Sequence, residues 1–546
     1  MDRPGAWVAA HRRRKRLTRE GDSTPECWLN RVVTQESPVD TLTLADVVAV
    51  ARGRSSVAVP PSALEAVQAG RAIVDELAGA SLPVYGISTG FGALATVSIP
   101  PERRAALQRS LIRSHAAGTG PLVEPEVVRA LMVLRLKTLA SGRTGVRPLL
   151  VQTLAAMLNA GITPAVRTYG SLGCSGDLAP LSHVALVAMG EGEVLDPDGG
   201  TRPAAQALAD AGIDPVVLQE KEGLALINGT DGMLGMLALA LADLDDLFAL
   251  SDVATAMSVE ALLGTDRAFA EDLLALRPHP GQAASASNLR RLLAGSPIVA
   301  SHREDTEHLV QDAYSMRCAP QVTGAARDTA EHARIVAERE LRSVIDNPVV
   351  LPDGRVQSNG NFHGAPVGYV LDFLAIACAD VASISERRTD RMLDKTRSQG
   401  LPPFLAHETG VDSGYMIAQY AAAGIVSTLK RLAAPASVDS IPSSAMQEDH
   451  VSMGWAAGLK LREAVDGLRR VLAVEMLVGA RALDLRAPLQ PAVGTAAARE
   501  VLRSKVAGPG PDAVVTEQIE AAVGLLADGS VLAAVEDAVG PLDSGR

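Results

Sequence analysis

The chain has 546 residues, 47 % of them apolar and 3 % aromatic, and a formal net charge of −12 at pH 7. That length exceeds one small core and that apolar fraction fills a large one, while an acidic balance without basic stripes excludes nucleic acid and anionic membrane surfaces as expected partners. Four widely spaced cysteines (Cys27, Cys174, Cys318 and Cys378) form no CxxC pair, so neither a disulfide framework nor a zinc site is expected, and a reducing, cytoplasmic setting is.

Residues 1–40 show no sustained period and are expected to be a tail or start-site extension. Its HRRRKR cluster follows a short apolar patch, the reverse of a secretory signal; a nuclear-localisation reading fits the cluster less well than a plain extension. From Thr41 the pattern turns helical. TLTLADVVAVAR opens with capping-type threonines, and PSALEAVQAGRAIVDELAG carries apolar residues at helical spacing. A Gly/Ser/Thr loop covers Tyr85–Ala95, and further helices are predicted over EPEVVRALMVLRLKTLA and VQTLAAMLNAG. Gly density then peaks in YGSLGCSGDLAP, Tyr169–Pro180. Past Asn228, Ala/Leu-rich periodic segments recur at 231–263, 324–342, 366–395, 414–435 and 452–486, longer than ordinary helices and suited to a bundle. The longest apolar run, near Met233–Leu250, contains Asp243, Asp245 and Asp246, against the ~20 largely apolar residues of a membrane span. The expected architecture is mainly α: a loop-rich N-terminal domain (41–227), a central long-helix bundle (228–486) and a smaller C-terminal helical part (487–546).

The sharpest local feature is Cys174-Ser175-Gly176, with Gly170 and Gly173 just before it. Three glycines in seven residues open backbone conformations that a Cβ forbids. In isolation the segment reads as a tight turn and helix start, capped by Ser175 or Asp177. The longer string GSLGCSGDLAPLSHVA resembles the cofactor-forming segment of the histidine and aromatic amino-acid ammonia-lyase family, in which an Ala-Ser-Gly tripeptide usually cyclises. Cys174 stands where Ala is usual, and that residue contributes only its carbonyl carbon to the ring. The resemblance implies attack of the Gly176 amide nitrogen on the Cys174 carbonyl carbon. Loss of water from the ring and from Ser175 then leaves 4-methylidene-imidazol-5-one (MIO), an electrophile that no encoded side chain supplies. No external cofactor and no metal are expected.

Other motifs extend the likeness from about Thr41 to about Ala487, and the resemblance implies a role for each. Tyr85 in YGISTGFG has an acid–base role near the cofactor. His115 in RSHAAGTG reads the substrate side chain, and Asn228 in EGLALINGTDG contacts cofactor and substrate. In VQDAYSMRCAPQ, Gln311 joins the substrate site, Arg317 offers a planar fork to a carboxylate, and Tyr314 is the candidate base for the β proton. Tyr314 and Arg317 are three apart, one helical turn, and a phenol titrating near ~10 needs such a cation beside it. Asn347 in the DNP turn, Phe362 in GNFHG and Met416 in SGYMIAQ line the site. Taken singly, each of these three reads better as a turn former or a core residue. Glu448 in AMQEDHVSMGW matches the carboxylate of histidine-specific members; Glu448, Asp449 and His450, being consecutive, diverge too much on a helix to share a metal. An imidazole presents one donor and one acceptor when neutral and two donors when charged, an inventory that suits Glu448 and His115, with Met416 as a soft wall. The implied reaction is loss of ammonia from L-histidine to give trans-urocanate, the first step of histidine degradation, in a homotetramer whose active sites are shared between subunits. Tyrosine-directed elimination, aminomutase chemistry, and a non-catalytic helical assembly are the competing readings.

Overall fold

In the computed structural model the described residues are 36–79, 84–90, 97–173, 176–196, 198–304 and 311–545. Cys174 and Ser175, residues 1–35 of the expected tail and most of the second half of the Tyr85–Ala95 loop lie outside them.

Proline opens many of the helices, because its missing N–H is unpaired anyway in a first turn. Helix α1 (Leu44–Ala51) is instead started by a capping box between Thr43 and Asp46. Pro-led α2 (Pro61–Ala78), α3 (Pro101–His115), α4 (Pro125–Ala140) and α5 (Pro148–Asn159) follow. Then come α6 (Leu178–Ala188), α7 (Ala204–Asp210) and α8 (Glu222–Ile227). The strands of this part form only two-stranded pairs: β1 (Glu36–Pro38) with β2 (Ser56–Ala58), β3 (Thr119–Leu122) with β4 (Arg167–Tyr169), and β5 (Glu193–Leu195) with β6 (Thr201–Pro203). The β1–β2 pairing corrects the expected extent of the tail. Residues 36–40 belong to the fold, with Ser37 and Val39 fully buried; a three-residue strand is too short to show a period.

The bundle begins with α9 (Asp231–Ala261), followed by the shorter α10 (Glu271–Ala275), α11 (Pro280–Leu292), α12 (Pro297–Ala300) and α13 (Tyr314–Arg317). Next are α14 (Ala319–Arg342), the hairpin β7 (Val349–Val350) and β8 (Val356–Gln357), α15 (Ala365–Leu393), α16 (Met416–Leu432) and α17 (Gly454–Leu485). Both α9 and α17 are buried nearly all round over long stretches, as helices at the centre of a large core are. Helix α15 is long and apolar enough to cross a membrane, yet 67 % of its most apolar window is buried in the protein, and it packs on α9, α14, α16 and α17. The acids of the α9 run are paired: Asp243 with Arg52 and Arg462, Asp245 with Arg334. Of the C-terminal helices α18 (Val493–Arg503), α19 (Val515–Ala527) and α20 (Ser530–Val539), α18 is tied in by Glu260 of α9, while α19 packs on α17 and α20 on α18. The buried Glu260 carboxylate accepts Ser296 Oγ, Ala492 N and Thr495 Oγ1 at 2.5, 2.7 and 2.5 Å.

Candidate active site

Strand β4 delivers the chain into loop 170–177, ahead of α6. Gly176 has φ of +82°, and a Cβ there would sit 2.0 Å from the carbonyl oxygen of Gly229, so only glycine fits. The next residue holds the loop in place. Asp177 N–H donates to Gly229 O at 2.7 Å, and its buried carboxylate accepts Gly232 N, Met233 N and Ser171 Oγ at 2.9, 3.0 and 3.1 Å. Asp177 therefore occupies the N-cap position of α6 without capping it; it seats the positive end of α9 instead. Burial pushes its carboxyl up to about 7, against those hydrogen bonds. On the other flank, Leu172 O accepts Met453 N at 2.9 Å and Gly173 O accepts Ser452 Oγ at 3.2 Å. The residues on either side of Cys174-Ser175 are thus clamped between the starts of α9 and α17.

A second layer of fixed polar groups lies alongside. Asn228 is 3 % exposed; its Nδ2 donates to Asn347 O at 3.0 Å, and its Oδ1 is buried without a hydrogen-bond partner among the described residues. Arg135 donates to Asn228 O at 2.8 Å, Ala225 O at 3.1 Å and Ile345 O at 2.9 Å, fastening both asparagine segments to α4. Beside them, Lys221 and Asp346 form a wholly buried ion pair at 2.6 Å. Burial pulls the amine down and pushes the acid up, with the pairing opposing both. Asp346 also accepts Asn347 N at 2.8 Å. Tyr85 is half-buried, and a Cβ at the following Gly86 would lie 3.1 Å from Pro348 and 3.2 Å from Leu224. Its turn therefore rests on the Asn228 and Asn347 segments. Phe362 is half-buried in the loop anchored by Asn347, whose Oδ1 accepts Ser358 Oγ at 2.9 Å and Asn359 N at 3.0 Å.

His115 closes α3. Its Nδ1 lies 3.0 Å from Leu111 O; a carbonyl only accepts, so in the neutral ring Nδ1 carries the proton and Nε2 is the acceptor. Burial lowers its pKa, while the Leu111 carbonyl and the negative charge of Glu448 act to raise it. Glu448 is thus an electrostatic neighbour of His115 within one chain. It lies in irregular backbone, bridged to Ser443, whose Oγ donates to it at 3.0 Å. The helix assumed in setting Glu448, Asp449 and His450 aside as metal ligands is not there: α17 starts only at Gly454.

The remaining expected residues gather elsewhere. Tyr314 is 71 % exposed, Arg317 lies 4.7 Å from its ring centroid on α13, and Gln311, three residues earlier, is exposed. Arg388 near the C-terminal end of α15 donates to Ser315 O at 3.1 Å and is itself held by Glu475 in a fully buried pair. Met416 opens α16 beside Asp390 and Leu393, the same end of α15. The other end of α15 belongs to the loop region, since a Cβ on Gly364 would meet Met233 and Ser452. From Gly364 to Arg388 is 24 residues, about 36 Å of helix. One chain therefore assembles Tyr85, His115, Gly176, Asn228, Asn347, Phe362 and Glu448 at one end, and Gln311, Tyr314, Arg317 and Met416 at the other. Sequence reading missed Arg135, Asp177, Lys221, Asp346 and Ser452. A charge inside the apolar run ALMVLRLKTLA was the one visible signal for Arg135.

A family profile described as aromatic amino acid lyase matches residues 42–504. The chain is 63 % identical over 502 residues to a histidine ammonia-lyase of Streptomyces avermitilis, covering 92 % of this chain and 98 % of that one, and 62 % identical, with the same coverage, to one of Streptomyces coelicolor. Among solved structures it is similar to a tyrosine aminomutase of Streptomyces globisporus (TM-score 0.88, 37 % identity, 92 % of this chain and 98 % of that one). It is also similar to a histidine ammonia-lyase of Trypanosoma cruzi (TM-score 0.85, 37 %, 92 % and 95 %).

Proposed function

Since the chain belongs to the aromatic amino acid lyase family and is a carbon–nitrogen lyase, we propose that it converts L-histidine to trans-urocanate and ammonia, with MIO formed from Cys174-Ser175-Gly176. The observation that carries the substrate is that Glu448 lies within electrostatic reach of His115 in one chain, an acceptor nitrogen and a carboxylate that together suit the two N–H donors of an imidazolium ring. The backbone at Gly176, which only glycine can adopt, fits ring closure at the tripeptide, and the buried Asn228 Oδ1 is open to a donor such as the substrate's ammonium group. When formed, MIO supplies an electrophilic carbon to the substrate amine.

The chain's own groups then have distinct tasks. Glu448 and His115 orient the imidazole, and Asn228 and Asn347 hold the polar wall beside it. Arg317 takes the carboxylate in its planar fork, and Tyr314, under the field of Arg317, removes the β proton. Tyr85 handles a proton near the cofactor. Phe362, Gln311 and Met416 close the pocket. With about 36 Å between the two ends of α15, these groups meet only if copies of the chain contribute different ends, which supports a homotetramer with shared sites. The exposed face of α15 is suited to such packing: Tyr369, Phe373 and Ile376 recur at helical spacing and are 52, 44 and 46 % exposed. A cytoplasmic enzyme of histidine catabolism is the setting that fits.

The test is incubation with L-histidine and, separately, L-tyrosine while following ultraviolet absorbance, alongside the intact mass. Urocanate formation from histidine and a mass two waters below the encoded chain are expected. A cinnamate-type product from tyrosine in preference to urocanate transfers the assignment to tyrosine-directed chemistry.

A further inference from the structure

The N-terminal domain contains a cavity of about 400 Å³, within the range of small-ligand sites. None of the residues placed in the lyase site lines it. It lies between the start of α4, the turn after α5 and the β5–β6 hairpin, and its walls include Leu122, Ile162, Val194 and Leu195. Its lining includes Arg129, 7 % exposed. Arg129 donates only to carbonyl oxygens, Val50 O at 3.3 and 3.1 Å and Leu158 O at 3.3 Å, near the C-terminal ends of α1 and α5. No carboxylate pairs with it among the described residues. The partial charges of two helix ends soften its isolation without neutralising a full cation, and three bonds leave two of its five N–H groups free. Burial alone pulls its pKa down to about 10.

A second arginine in the lining is paired but keeps one buried N–H open. Arg202 is bound through Nη1 to Asp210 at 2.7 Å, while its Nε is buried without a partner among the described residues. The acids of the lining are Glu124, committed to Arg462 at 2.7 Å, and Asp196, at the turn of the hairpin. An apolar chamber with a desolvated guanidinium in its wall selects one chemistry, because a buried charge is stabilised by an opposite charge that hydrogen-bonds to it.

We infer that this cavity binds a small monocarboxylate with an apolar body, its carboxylate on Arg129 and its hydrocarbon against Ile162, Val194 and Leu195.

Calorimetric titration of the full-length protein with octanoate and with octanamide decides it. Octanoate is expected to saturate one site per chain, with octanamide at least about tenfold weaker, the loss that follows from removing a charged hydrogen-bond partner. Leu195→Trp, which narrows the cavity and leaves every bond of Arg129 in place, should abolish octanoate binding while urocanate formation continues. Arg129→Met should erase the preference for acid over amide. Where Arg129→Met fails to fold, the acid-to-amide comparison on the wild type and the Leu195→Trp titration still decide. No saturable heat with octanoate, equal affinity for acid and amide, or unchanged binding in Leu195→Trp overturns the assignment.

Discussion

The two ends of α15 are built in opposite ways. At the N-terminal end, the residues flanking Cys174-Ser175 are bonded to the starts of α9 and α17 through Asp177 and Ser452, and Arg135 of α4 fastens the neighbouring Asn228 segment. At the C-terminal end, Tyr314 is mostly exposed, and its short helix is held by the bond from Arg388 to Ser315. The contrast is one of timing. On the proposed mechanism, a ring that closes from backbone atoms before any substrate arrives needs its compression built into one chain, whereas groups that act only on bound substrate can wait until another chain covers them.

The comparison breaks most sharply at the tripeptide. Ser175→Ala should fold normally, keep its two waters by mass and lose more than ~10³ in kcat, at least ~4 kcal/mol; near-normal urocanate production removes the cofactor from the mechanism. Tyr314→Phe should instead show the complete cofactor mass and lose ~10²–10⁴ in kcat. Co-expressing Ser175→Ala with Tyr314→Phe tests the sharing itself. Mixed assemblies contain intact composite sites and should regain activity that neither parent has; no recovery means that the two ends of α15 do not meet across subunits.

Glu448→Gln sharpens the rigid end. Losing a charged acceptor costs about 1.5–3 kcal/mol, roughly 10- to 150-fold in kcat/KM for histidine, with cofactor mass unchanged. It also has a sign. Glu448 raises the His115 pKa against burial, so the variant's ring, followed by NMR titration, should protonate at a still lower pH than in the wild type. Asp177 moves oppositely. Its folded pKa, about 7, lies above the ordinary value of 3.8, so its contribution to stability is full below that ordinary value and lost as pH rises through 7. Thermal melts should show the wild type losing ground to the non-titrating Asp177→Asn between about pH 4 and 7. A constant gap would show that Asp177 stays ionised throughout.

The smallest effect concerns the N-terminus. Removing residues 1–40 takes away fully buried Val39 and the β1 pairing and should cost about 1.5–3 kcal/mol, read as a lowered Tm, whereas removing 1–35 leaves those contacts in place. Equal melting temperatures for the two truncations would mean that β1 contributes nothing.

Much of this was legible in the residues alone. The helical segments expected at 231–263, 366–395 and 452–486 correspond to α9, α15 and α17, because apolar periodicity over many turns overrides local ambiguity. Gly176 was readable as a position intolerant of a Cβ, and Tyr314 and Arg317 as neighbours on one turn, since backbone freedom and helical spacing are local properties. Tertiary structure decided the rest. That Asp177 serves α9 instead of its own helix, that Lys221 finds Asp346 across 125 residues, and that Glu448 comes within electrostatic reach of His115 all depend on the approach of distant segments, for which a single sequence carries no period. Nor could spacing along the chain show that the expected site residues divide between two ends of one helix. That is a matter of distance through space, fixed only when α15 packs among its neighbours.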